Sequence, residues 1–140
     1  MRIPKPIYRY LEFELYNYDK TKTDVAEMRE DIFVGNSGGS QGELGTTVIS
    51  GTMSDTTGKK VERLLTNKGI AQGTRTVNAI ERALARLSDN HRAVFQLKYR
   101  EARPWQEVCD EIPISQSTYF LLRKELIWLV GLELGVIKEA

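Results

Sequence analysis

The chain has almost none of the side chains from which metal sites and disulfides are made: one cysteine, Cys109, and one histidine, His91, in 140 residues. A single cysteine excludes an internal disulfide framework and fits a reducing compartment. One cysteine and one histidine cannot assemble a metal site. Net charge is also lacking, at +1, so no basic signature covers the whole molecule and any nucleic-acid surface must be local. The longest apolar run, Leu126 to Leu132, is far shorter than the ~20 residues that cross a bilayer. The N-terminal MRIPKPIYRYLEFE has no uninterrupted apolar core of the kind a signal peptide needs. A soluble, cytoplasmic protein with no membrane partner is therefore expected. No nucleophile–base pair, carboxylate dyad or ligand cluster stands out, so neither enzymatic activity nor a cofactor is expected. His91 reads as a surface or helix-capping residue, and Cys109 as a small buried hydrophobe.

What is present is a globular composition, 41% apolar and 28% charged, of a length for one domain or one domain with an appendage. Charge is unevenly spread: the balance is −1 over residues 1–33, −2 over 34–58, +5 over 59–86 and −1 over 87–140. These segments match a division into an N-terminal helical segment (1–33), a Gly/Ser-rich linker (34–58) and a helical domain (59–140).

The pattern throughout is helical. After Pro4 and Pro6, Ile7, Tyr8, Leu11, Leu15 and Tyr18 share one face, and Val25, Met28 and Ile32 resume the period after the polar Asp19 to Asp24. The aromatics Tyr8, Tyr10, Phe13, Tyr16 and Tyr18 need a surface to pack on, either later helices of the same chain or a partner. Residues 35–58 hold seven glycines and no basic residue, the composition of a flexible linker. TTVISGTM within it allows at most a short, marginal strand. No Gly-Lys-Ser/Thr ending follows these glycines, which argues against a phosphate loop. Helices are then predicted from near Gly58 (Val61, Leu64, Leu65) and from a Thr74 cap (Val77, Ile80, Ala83, Leu84, Leu87), with Gly69 and Gly73 weakening continuity between them. Arg75, Arg82 and Arg86 lie off the apolar stripe, on a face that either binds phosphate or is simply solvated. Ser88 caps the next helix, with Val94 and Leu97 inward.

The most specific stretch is RPWQEVCDEIPISQSTYFLLRKE, from Arg103 to Glu125. Trp105, Val108, Cys109 and Ile112 form one apolar stripe, and Ile112-Pro113 stops the helix, since the residue before a proline leaves the α region. Ser115 is a good N-cap for a second helix, from about Gln116 to Leu134, roughly 28 Å long. Gly135 is its C-terminal stop. Tyr119, Leu122 and Leu126 point inward, leaving Gln116, Ser117, Thr118, Phe120, Arg123 and Lys124 elsewhere. This is the layout of a helix-turn-helix, whose second helix places its N-terminal residues against base edges in the major groove. Gln, Ser and Thr are side chains that hydrogen-bond there. The alternative is two packed helices of an all-α domain. The long helix is apolar nearly all round, so it must be covered on two sides, one of them by the N-terminal helix or a second protomer.

LSDNHRAVFQLKYREARPWQEVCDEIPISQSTYFLLRKEL resembles the promoter-binding (region four) domain of bacterial sigma factors. With YRYLEFELYNYDKTK and DTTGKKVERLLTNK, the whole chain resembles phage late-transcription activators of the RinA/ArpU type. That resemblance implies an all-α bundle with a C-terminal sigma-like helix-turn-helix and a flexible linker. It implies a sequence-specific activator of phage or prophage late genes that binds double-stranded promoter DNA and contacts bacterial RNA polymerase. By position it implies Ser115, Gln116, Ser117 and Thr118 as the leading edge in the groove, with Arg123 and Lys124 at backbone or bases. Phe120 departs from the polar residues usual there, and either touches a thymine methyl or, like Leu121, faces protein. Arg103, opening the motif, completes the candidate DNA-contact set. Pro104 replaces the usual small hydroxyl cap before Trp105. A homo-oligomer through the N- and C-terminal helices is compatible with the pattern. Two other functions fit it too: a small terminase subunit recognising a packaging site as a ring, and a polymerase-binding module without DNA binding.

Overall fold

The computed structural model describes the backbone of residues 2–41 and 53–138, and the side chains of 2–31 and 62–138. The described residues form helices and no strand, an all-α small helical bundle as expected. In order these are α1 (Lys5–Tyr16), α2 (Tyr18–Gln41), α3 (Met53–Arg86), α4 (Asp89–Val94) with a π-helical continuation (Phe95–Arg100), α5 (Trp105–Glu111) and α6 (Gln116–Leu134). They group into two compact units, residues 1–20 with 75–140, and residues 21–74.

In the first unit, α1 starts after Pro4 with a second proline in its first turn, where a missing N–H costs nothing. It stops at Asn17, whose side-chain amide donates back to the Phe13 carbonyl at 2.7 Å. The break thus falls one residue before Tyr18, and α2 runs unbroken through the polar Asp19 to Asp24. Leu11 and Leu15 are fully buried in a core shared with Ile80 and Ala83 of α3 and Leu126, Ile127 and Val130 of α6. Tyr18 adds an edge-to-face contact with Phe95, at 5.4 Å, and its hydroxyl donates to Glu81 at 2.6 Å. A separate core joins Val94, Leu97, Val108, Ile112, Tyr119 and Leu122. α6 therefore belongs to two cores, its first turns to one and its later turns to the other. Its nearly all-round apolar surface is explained within one chain, with α1 as the second cover. The sequence division at residue 33 does not follow these units, because α1 is held to the C-terminal helices by buried leucines distant in sequence.

The second unit pairs α2 with the N-terminal part of α3. Contacts descend along α3 as they rise along α2: Gly73 meets Thr21 and Val25, and Gly69 meets Met28. The two helices are therefore antiparallel, and Arg29 donates to the Thr74 hydroxyl at 2.9 Å. α3 is one helix from Met53, so the separate helix starts expected near Gly58 and at Thr74 do not occur. The glycines that suggested a break are contact points instead: a β-carbon at Gly73 would lie 2.5 Å from Val25 Cγ2. Helical backbone also enters both ends of the segment expected as linker, through Gln41 and from Met53. Extending an existing helix into such residues requires only propagation, which is far easier than nucleation. The linker centre, 42–52, lies outside the described residues. So does the TTVISGTM strand, save Met53, which opens α3.

Candidate nucleic-acid interface

α5 and α6 are joined by Ile112-Pro113-Ile114, with Ile112 in extended backbone at φ −106°. The Ile112 carbonyl accepts from the Ile114 N–H at 2.6 Å, closing a tight turn. Ser115 then caps α6: its hydroxyl oxygen accepts from the Thr118 N–H at 3.1 Å and lies 2.9 Å from the Thr118 hydroxyl. Below the turn, Val108, Ile112, Tyr119 and Leu122 are buried, with Trp105, Cys109 and Ile114 packed against them. Cys109 is half-buried rather than fully enclosed. At the far end Gly135 takes φ +79°, the left-handed C-terminal conformation that glycine adopts without penalty.

Gln116, Ser117, Thr118 and Lys124 are exposed. Lys124 makes no ion pair among the described residues, so its charge stands free at the surface. Ser115 and Thr118 are also exposed, but their hydroxyls are engaged in the cap. Arg103 is committed to acidic neighbours, with Glu107 at 3.1 Å, Glu111 at 3.6 Å and Glu101 at 3.8 Å. Phe120 is exposed, with its ring 5.2 Å from that of Tyr119 and 6.3 Å from that of Trp105. Leu121 stays half open to solvent, at 51% exposure. Arg123 is half-buried, its guanidinium 4.9 Å from the Phe120 ring and 5.5 Å from the Tyr8 ring. Burial pushes the Tyr8 hydroxyl up to about 12, against the opposing charge of Arg123. Burial likewise raises Tyr119, with Lys98 and Arg123 pulling the other way.

Three of the upstream arginines hold the end of α6. Arg82 and Arg86 bond the two oxygens of Glu133, at 3.1 and 2.7 Å. Arg75 donates to the Leu134 carbonyl at 3.1 Å, where α6 ends. These arginines are thus paired with α6 while staying more than half exposed in the case of Arg82 and Arg86, and Lys124 is an exposed cation with no ion pair among the described residues. His91 has the capping role expected of it: its backbone N–H donates to the Ser88 hydroxyl and its Nδ1 accepts from the Ser88 N–H. Its Nε2 also lies 3.2 Å from Glu125 Oε1, tying α4 to α6.

Sequence reasoning missed Lys98, Tyr16 and Trp105 as one cluster with Arg123, and the loop that frames it. Tyr16 lies on α1, Lys98 in the π-helical turn and Trp105 at the start of α5, so no local spacing joins them. Ala102, in that loop, holds φ +54°, a left-handed conformation costly for any residue with a β-carbon. No described helix is long and apolar enough to cross a membrane. No family model, curated protein or solved structure matches the chain.

Proposed function

We propose that the chain is a sequence-specific DNA-binding transcriptional activator of phage or prophage late genes, as its resemblance to the RinA/ArpU type implies. Its partners would be double-stranded promoter DNA and bacterial RNA polymerase. The observation that carries the DNA reading is the N-terminus of α6. A capped helix, packed against α5 across the turn, presents Gln116, Ser117 and Lys124 outward with no side-chain partner among the described residues. Such a helix end meets base edges in the major groove, where a Gln amide pairs with adenine and a Lys neutralises phosphate or reaches guanine.

Within that reading, the exposed Gln116 and Ser117 would read bases and Lys124 would contact the backbone, while the Ser115 and Thr118 hydroxyls are engaged in the cap of the helix. Lys124→Ala should weaken binding to all duplexes and lower the slope of log affinity against log salt by about 1. Gln116→Ala should relax preference at one base pair by about 1–3 kcal/mol and leave the salt slope alone. The measurement is fluorescence anisotropy on fragments selected from the encoding genome, at several salt concentrations. Unchanged affinity and slope in both variants would remove α6 from the groove.

A further inference from the structure

Between the 101–104 loop and the first turns of α6 lies an open cleft of about 280 Å³. That is near the lower end of ligand-binding clefts, roughly 300–1,000 Å³, and suits one compact group. Tyr16, Trp105, Tyr119 and Phe120 line it together with Lys98 and Arg123. The Lys98 ammonium lies 5.2 and 5.0 Å from the Tyr16 and Tyr99 rings and 3.9 Å from Glu12. Arg103, on the rim, is matched by its three carboxylates.

Arg123 is different. It has no carboxylate partner among the described residues, and its Nε is buried without a hydrogen bond. A buried charged donor left unmatched is costly. An anionic oxygen entering the cleft that Arg123 lines would pair with its guanidinium through a charge-assisted bond. The cleft is bordered by the strained Ala102, and backbone strain of this kind collects at ligand sites. Aromatic walls select for a planar group, because stacking on such rings is available to every base.

We infer that this cleft binds a single nucleotide unit, with its phosphate at Arg123 and Lys98 and its base against Tyr16 and Trp105. The unit is either a free mononucleotide or an unpaired nucleotide of a DNA strand. The site adjoins the face of Gln116, Ser117 and Lys124 on the same helix but uses other side chains of it, Tyr119, Phe120 and Arg123, and does not require that α6 read a duplex.

The test uses the full chain carrying Trp128→Phe, so that Trp105 is the single indole. Its fluorescence is titrated with deoxyadenosine monophosphate, deoxyadenosine, inorganic phosphate and a 5′-phosphorylated oligothymidine. Saturable quenching is expected with the mononucleotide or the oligomer, and about tenfold weaker response to nucleoside or phosphate alone. Response to the mononucleotide identifies a free nucleotide as sufficient, and response to the oligomer alone identifies an unpaired strand. Arg123→Gln should weaken the response at least about tenfold. Lys98→Gln, read in parallel with circular dichroism, should weaken it several-fold and carries the test if Arg123→Gln unfolds. No saturable response, phosphate binding as tightly as the nucleotide, or an unchanged response in the folded variants would overturn the inference. Duplex affinity of Lys124→Ala is scored separately, so failure here leaves the reading of α6 standing, and the reverse.

Discussion

Gly69 and Gly73 lie one helical turn apart on α3, yet their surroundings set opposite outcomes for the same substitution. A β-carbon at Gly69 would meet Met28 at 3.7 Å, an ordinary contact with a pliable side chain, whereas at Gly73 it would press on Val25 at 2.5 Å. Val25 is buried and β-branched, with little rotamer freedom to yield. Gly69→Ala should therefore stabilise by about 0.5–1 kcal/mol through helix propensity. Gly73→Ala should lose about 1 kcal/mol net, overpacking outweighing the same gain. Equilibrium unfolding followed by far-ultraviolet circular dichroism decides, and equal signs would refute the contact geometry. Phe120 teaches the same lesson at the candidate interface. Its neighbours in space, Trp105 from α5 and Tyr119, could not be read from spacing alone, and its ring stays exposed beside them.

α6 is the element that most of the molecule holds in place. Its start is set locally by Ser115, while its end depends on residues of α3 about fifty positions earlier: Arg75 at the Leu134 carbonyl, and Arg82 and Arg86 at Glu133. Hydrogen bonds from Arg82 and then Arg86 hold the Glu133 carboxyl below its ordinary range. The sign follows directly: stability from a depressed carboxylate is present above the unfolded-state value and lost as pH falls through the folded one. Because both arginines are more than half exposed, solvent screens the pairs, and Glu133→Gln should cost about 0.5–1 kcal/mol at neutral pH. The difference between variant and parent should shrink as pH drops through and below the usual glutamate range. Thermal unfolding across that range tests this, and a difference independent of pH would show that Glu133 acts through packing. The caps at Ser88, Ser115 and Gly135 were legible beforehand because each rests on neighbours within a turn or so. The arginine clamp was not, since its partners meet only in the folded chain.

The two compact units differ in how much they bury. Among the described residues of 21–74, Val25 is the only buried apolar side chain, whereas the other unit encloses two separate cores that share α6. Local opening is cheaper where few apolar contacts are lost. Amides of 24–31 and 62–72 should thus exchange with deuterium roughly tenfold or more faster than those of 79–84 and 124–131, and equal rates would show one cooperative unit. The sequence by itself determined the helical class, the apolar stripes of α5 and α6, their caps and the turn between them. These follow from periodicity and local backbone chemistry, which act over a few residues. Only the tertiary structure decided that α1 packs on the later turns of α6, that Arg75, Arg82 and Arg86 hold its end, and that Arg123 stands without a carboxylate partner among aromatic rings. Each of these depends on which distant side chains burial brings together, and a linear pattern does not carry that information.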